Sequence, residues 1–224
     1  MKTEFLHRNG GNELLIFFNG WSRSASDVSA LSAPFDVLEV HDYTDLDTTD
    51  LFRQLGAYSK IQLAAWSLGV WAAGVVFEHS DIHFESALAL NGTLYPVHSE
   101  YGIAPEIFDG TIANWLMAAA RERFMRRMAG SSAAAQRLPE TLRSAEDQQS
   151  ELAVIRQTAL ERPVPRNIFT HAAMGRQDRI IPFAAQKKFW ATQSGTSAAV
   201  LDLPHYPFDG LTSWEEVLDL GSAR

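Results

Sequence analysis

Ile61-Gln62-Leu63-Ala64-Ala65-Trp66-Ser67-Leu68-Gly69 starts as a short apolar run and ends on a serine between small neighbours. The residues that follow, Leu68–His79, are small and apolar throughout and predict a buried helix. A serine on a strand-to-helix turn needs small residues two positions either side, because larger side chains would collide with the adjoining strand and helix. Gly69 meets this requirement, and Ala65 stands where the first glycine is usual. Such a turn lifts the Ser67 hydroxyl above the sheet edge. It also leaves the Leu68 N–H free at a helix N-terminus, where negative charge is stabilised. The plainer alternative is a strand–helix turn with Ser67 as an N-cap.

Outward from this turn, the chain alternates. Leu14–Phe18, Phe35–Val40, Ser86–Leu90, Asn167–Ala172 and Ala198–Leu203 are further short apolar runs. Runs apolar on both faces fit a parallel sheet covered on two sides. Thr48–Tyr58, Ala184–Gln193 and Thr212–Leu220 have helical spacing between them, and Glu4–Arg8 is a candidate edge strand. This is the pattern of a layered α/β fold. The alternation stops after Asn91-Gly92. Residues 94–164 hold no strand signal, only two helical stretches, Ile112–Met128 and Arg137–Glu161, separated at Gly130-Ser131-Ser132. We therefore expect an α/β core of residues 1–93 and 165–224, with a helical cap inserted at 94–164.

A serine nucleophile requires an acid and then a histidine on loops after later strands. Asp178 follows the Asn167–Ala172 run, and His205 follows Ala198–Leu203. Alone, Asp178 reads as a turn residue and His205 as a loop histidine; their order and register favour a Ser67–His205–Asp178 triad. A second oxyanion donor belongs on the loop after an early strand. Asn19-Gly20-Trp21 follows Leu14–Phe18, which nominates the Trp21 N–H as partner to that of Leu68. The chemistry expected is acyl transfer: Ser67 attacks a carbonyl, His205 moves the proton, and Asp178 orients the imidazole. His41 and Asp42 come too early for the triad order, His171 reads as a core residue, and His79 and His83 lack the further ligands a metal needs. No metal or other cofactor is expected, and no glycine-rich phosphate loop follows the first strand.

Composition narrows the partners. The 224 residues carry 19 Lys and Arg against 27 Asp and Glu, a formal charge of −8 with His neutral, which argues against nucleic acid. With 46% hydrophobic and 21% charged residues, the chain is expected to fold, burying roughly 70–75% of its unfolded surface. It has no cysteine, so disulfides, thiolate metal sites and cysteine nucleophiles are excluded. Its apolar runs fall well short of the about 20 residues that span a bilayer, and Met1-Lys2-Thr3-Glu4 does not open a signal peptide. A cytoplasmic protein that does not engage membranes is the expectation.

Five blocks together resemble a known family. Phe17-Phe18-Asn19-Gly20-Trp21, Ala65-Trp66-Ser67-Leu68-Gly69, Leu90-Asn91-Gly92-Thr93, Tyr101-Gly102-Ile103-Ala104-Pro105 and His205-Tyr206-Pro207-Phe208 look like those of BioG-type pimeloyl-ACP methyl ester esterases. The resemblance spans nearly the whole chain. It implies an α/β-hydrolase fold and hydrolysis of the methyl ester of pimeloyl-ACP in biotin synthesis, and it gives Ser67, His205 and Asp178 the catalytic roles. The acidic acyl carrier protein would then meet Arg121, Arg123, Arg126 and Arg127, of which 123, 126 and 127 share a helix face. A solvated helix face accounts for these arginines equally well. Phe108, Trp115, Leu116, Phe124 and Met128 line either an acyl tunnel or the core of the cap. A general esterase or thioesterase with the same triad, and a non-catalytic ligand- or carrier-binding module, are the competing readings.

Overall fold

A computed structural model describes residues 1–222. Seven strands form one sheet: β1 (Lys2–His7), β2 (Glu13–Phe18), β3 (Asp36–His41), β4 (Lys60–Trp66), β5 (Ser86–Leu90), β6 (His171–Gly175) and β7 (Ser197–Leu201). Their spatial order is β1-β3-β2-β4-β5-β6-β7. All neighbours are parallel except β1, which runs antiparallel to β3 at the edge. This is the α/β-hydrolase arrangement expected from the sequence. The central strands are apolar on both faces because both are covered, and Leu14–Phe18 are inaccessible to solvent.

Helices α1 (Thr49–Leu55), α2 (Leu68–Phe77), α7 (Phe183–Trp190) and α8 (Trp214–Asp219) pack around the sheet. Every residue of α2 is buried, which explains a helix without a polar face. Between β5 and β6 stand α3 (Pro105–Asn114), α4 (Ala118–Ala129), the single turn α5 (Ser132–Ala135) and α6 (Ala145–Glu161). Among the described residues no helix is long and apolar enough to cross a membrane.

Three boundaries differ from the sequence expectation. The stretch Ile112–Met128 is not one helix. Pro105 opens α3, where its fixed φ suits the first turn. The chain then breaks at Met117, which is extended. The break turns Trp115 inward against Trp21 and Phe124, with ring centroids 4.4 and 5.2 Å away, so tertiary packing overrides the helical period. The stretch from Arg137 becomes helical only at α6. Pro139 disfavours helix at the residue before it, and the Ser144 side chain caps α6 by accepting the Asp147 N–H. The last difference is β6, which lies four residues later than Asn167–Ala172. Asn167 is occupied by a local turn in which its side chain accepts the Phe169 N–H.

Candidate functional site

Ser67 sits between β4 and α2 with φ +59° and ψ −127°, a backbone state that costs a non-glycine residue energy and persists only where its surroundings enforce it. The enforcement is visible. The Ser67 N–H donates to Leu90 O at 2.9 Å. A Cβ on Gly69 would lie 2.5 Å from the Phe18 carbonyl oxygen, which is why only glycine fits there. The Ser67 side chain does not cap α2. Instead Oγ lies 2.8 Å from His205 Nε2. The N-cap alternative therefore fails.

His205 Nδ1 is 2.7 Å from Asp178 Oδ2, and all three side chains are buried. Asp178 lies three residues beyond β6. Its Oδ1 accepts the Ile180 and Ile181 N–H groups at 2.8 and 3.1 Å, and its Oδ2 also accepts Gln186 Nε2 at 2.8 Å. With three donors already directed at its oxygens, Asp178 is an acceptor toward His205, which favours a proton on His205 Nδ1 and leaves Nε2 free to accept from Ser67. The backbone of His205 is fixed as firmly. Its carbonyl accepts the Trp66 indole N–H at 2.8 Å and Asn91 Nδ2 at 2.9 Å. Asn91, at φ +45°, also accepts the Gly175 N–H through Oδ1 at 2.6 Å. One amide thus ties together the ends of β5 and β6 and the loop that carries His205.

Trp21 and Leu68 line the same pocket as Ser67, and neither backbone N–H has a hydrogen-bond partner among the described residues. Two unpaired donors beside a buried hydroxyl are what a developing oxyanion requires. A Cβ on Gly20 would meet the Trp66 ring at 2.9 Å, so glycine is needed for close packing at this turn. The Trp21 indole packs on Trp115 and donates to Gln148 O at 2.7 Å, while Trp115 Nε1 donates to Gln148 Oε1 at 2.8 Å. Gln148 on α6 therefore reaches the turn carrying one candidate oxyanion donor.

The pocket is narrow, a cavity of about 30 Å³ that is partly open to solvent. Phe108 and Thr111 from α3, Phe124 and Met128 from α4, and Leu152 from α6 line it opposite Ser67 and His205. No Lys, Arg, Asp or Glu is among its lining residues. Of the proposed tunnel residues, Trp115 is buried behind this wall and Leu116 is half exposed. The four arginines lie on α4. Arg123, Arg126 and Arg127 border a separate groove between α3 and α4, which shares Thr111 and Phe124 with the pocket. Arg121 is set apart, its guanidinium donating to Trp115 O at 2.8 Å.

Sequence reasoning missed Asn91, Gln186, Gln148 and Glu39 as parts of this site. Glu39 had a visible signal, a charge flanked by Leu38 and Val40 within the apolar run Phe35–Val40, whose other charge, Asp36, stands near its start. Gln148 had none, since its partner Trp21 is 127 residues away.

Comparison with known proteins identifies the family. The family model described as pimeloyl-ACP methyl esterase BioG matches residues 1–217. A malonyl-[acyl-carrier protein] O-methyltransferase of Bacteroides fragilis is 35% identical over 181 residues. The match takes in 80% of this chain but only 36% of that longer protein. The crystal structure of BioG from Haemophilus influenzae superposes with a TM-score of 0.85 at 32% identity, covering 96% of this chain and 99% of that one. The enol-lactonase of Burkholderia xenovorans LB400, at 14% identity and a TM-score of 0.68 over 98% of this chain and 95% of its own, shares the fold. With a family match across nearly its full length, this chain, an ester hydrolase of the α/β-hydrolase fold, belongs to the pimeloyl-ACP methyl esterase BioG family.

Proposed function

We propose that this protein is a cytoplasmic serine esterase that removes the methyl group from the distal ester of a methyl-pimeloyl chain carried on an acyl carrier protein, freeing the carboxylate for biotin synthesis. The observation that carries the reading is the unbroken relay from Ser67 to His205 to Asp178, at 2.8 and 2.7 Å, at the edge of an uncharged pocket. Ser67 Oγ attacks the ester carbonyl as His205 Nε2 takes its proton, and Asp178 stabilises the resulting imidazolium. The carbonyl oxygen becomes an oxyanion facing the Trp21 and Leu68 N–H groups. His205 returns the proton to methoxide, methanol leaves, and water repeats the sequence on the acyl-enzyme to release the acid. The pocket's chemistry favours this direction. A methyl ester is neutral, whereas the product carboxylate meets no counter-charge in the pocket and is driven out.

The carrier docks on α4. Arg123, Arg126 and Arg127 are exposed and make no ion pair among the described residues. Partial burial of its stem lowers the Arg127 pKa first, and the neighbouring Arg123 charge adds to it. An acidic carrier complements this face, and the groove beneath leads its acyl arm toward the walls shared by Thr111 and Phe124. Arg121 serves this reading less directly, since it is committed to the Trp115 carbonyl. Holding the carrier outside keeps its thioester away from Ser67 and presents only the far ester. The Bacteroides fragilis relative bears the name of a malonyl-[acyl-carrier protein] O-methyltransferase, and this supports a carrier-bound acyl substrate for the sequence the two share.

Intact-mass analysis of methyl-pimeloyl-ACP treated with the enzyme tests the reading. Loss of one methylene mass, absent with Ser67→Ala, is the expected result. Release of unacylated carrier would make the protein a thioesterase instead.

A further inference from the structure

Glu39, in the middle of β3, has no exposed surface. A carboxylate removed from water is costly unless bonded, so what it holds is informative. Its Oε1 accepts a hydrogen bond of 2.6 Å from Asn19 Nδ2, which also donates to Ser24 O at 3.1 Å. The amide is thereby oriented, and its Oδ1 accepts the Gly20 N–H at 2.7 Å. The Asn19 backbone is tied as well. Its N–H donates to Val40 O at 2.9 Å, and its carbonyl accepts the Tyr43 hydroxyl at 2.6 Å. Beyond it, Gly20 O accepts the Arg23 N–H at 3.2 Å, closing a turn with Ser22 at φ +67°. That turn leaves the Trp21 N–H unpaired at the pocket.

The carboxylate matters because it only accepts. A flipped Asn19 amide would set its oxygen against Glu39 and its NH₂ against the Gly20 N–H, two contacts of like character. Glu39 thus selects one amide orientation, and that orientation anchors the Asn19–Gly20 peptide, directly ahead of the Gly20–Trp21 peptide whose carbonyl accepts the Arg23 N–H. His41 Nδ1 lies 3.2 Å from the second carboxylate oxygen without hydrogen-bond geometry, so the bond to Asn19 is the one hydrogen bond this carboxyl makes among the described residues.

We propose that Glu39 is a positioning residue which, through the Asn19 side chain, aims the Trp21 N–H at the ester carbonyl oxygen. This rests on the reading of Ser67 as nucleophile with Trp21 and Leu68 as oxyanion donors. The test uses a small methyl ester and the full chain. Glu39→Leu lowers kcat about 50-fold while KM stays within about twofold, because the donor acts on the transition state. Glu39→Gln, which still accepts from Asn19, loses only about threefold. Asn19→Asp sets two carboxylates face to face and loses about 100-fold. Asn19→Asp combined with Glu39→Gln regains at least about tenfold of that, because the glutamine amide donates to the new carboxylate while its other oxygen still accepts the Gly20 N–H. Affinity for a trifluoromethyl ketone that adds to Ser67 falls in parallel with kcat. A purely structural role predicts lowered melting temperature without this pattern. The proposal is overturned if Glu39→Leu keeps kcat within about threefold, or if the double variant is no faster than Asn19→Asp alone. A wild-type enzyme inert toward every ester would overturn the reading of Ser67 itself.

Discussion

The pocket has a floor and a roof built on different principles. The floor is made from strand ends, and its geometry is set by directional bonds. Asp178 holds four donors, Asn91 joins three chain segments, and Ser67 is kept at φ +59°. The roof is made from α3, α4 and α6, and it faces the pocket mainly through Phe108, Phe124, Met128 and Leu152. Apolar contacts are tolerant of shape, whereas hydrogen bonds are not. Floor changes should therefore abolish chemistry while leaving recognition intact, and roof changes should do the reverse. Four variants push on that division.

The largest effect is expected at Ser67. Ser67→Ala should lower kcat by about 10⁴-fold or more, because the remaining groups of a nucleophile–base–acid unit do not act alone. Binding of the carrier substrate, measured with the inert variant, should be unchanged. Weakened binding of similar size would mean that the floor also recognises the chain, and the division would fail.

Legibility in the sequence follows the same line. Ser67, Asp178 and His205 each follow a short apolar run at the point where a turn must occur, so period and order sufficed to nominate them, and the structure brings their side chains within hydrogen-bond distance. The family blocks fall on the floor as well, except for Tyr101–Pro105. The roof was harder. The helical period runs through Ile112–Met128, yet the chain breaks there because Trp115 gains more by packing on Trp21 and Phe124 than by continuing a helix. Strand β6 was placed too early because Ala172, Ala173 and Gly175 carry little apolar signal although they are buried. Asn91 and Gln148 went unrecognised because their roles exist only across long sequence separations.

For the roof, Phe124→Ala removes a ring that borders the pocket and lies 5.5 Å from Trp21. It should cost about 3–4 kcal/mol of stability. Chain-length preference should broaden, with KM for the pimeloyl substrate rising about tenfold against a small change for a short ester. On the outer face, Arg123→Glu with Arg127→Glu should raise KM for the carrier substrate by about tenfold and leave a small ester unaffected. The loss should shrink as salt is raised. Equal losses on both substrates would remove carrier docking from α4.

The floor and roof are also joined by charge, and acid should reveal it. Arg143, just before α6, lies 2.5 Å from Glu151 Oε2 and 3.3 Å from Asp42 Oδ1 beyond β3, while Glu151 Oε1 accepts the Tyr43 N–H at 2.7 Å. Burial alone would push the Asp42 carboxyl up. Hydrogen bonds from Lys2 and Thr44, with the Arg143 charge, outweigh it and hold Asp42 well below the usual carboxylate range. Burial pushes Glu151 the other way, and Arg143 and the Tyr43 N–H offset only part of that. The two signs differ. Asp42, lowered in the folded state, adds stability that is present above its ordinary value and lost as pH falls through its folded one. Glu151, raised in the folded state, adds stability only on the acid side, lost as pH rises through its folded value. Asp42→Asn should therefore lower the melting temperature by about 2 °C at pH 7, with the gap to wild type closing as the pH drops below about 4. A gap independent of pH would mean that Asp42 acts through its shape, and the charged link between floor and roof would carry no weight in holding the pocket together.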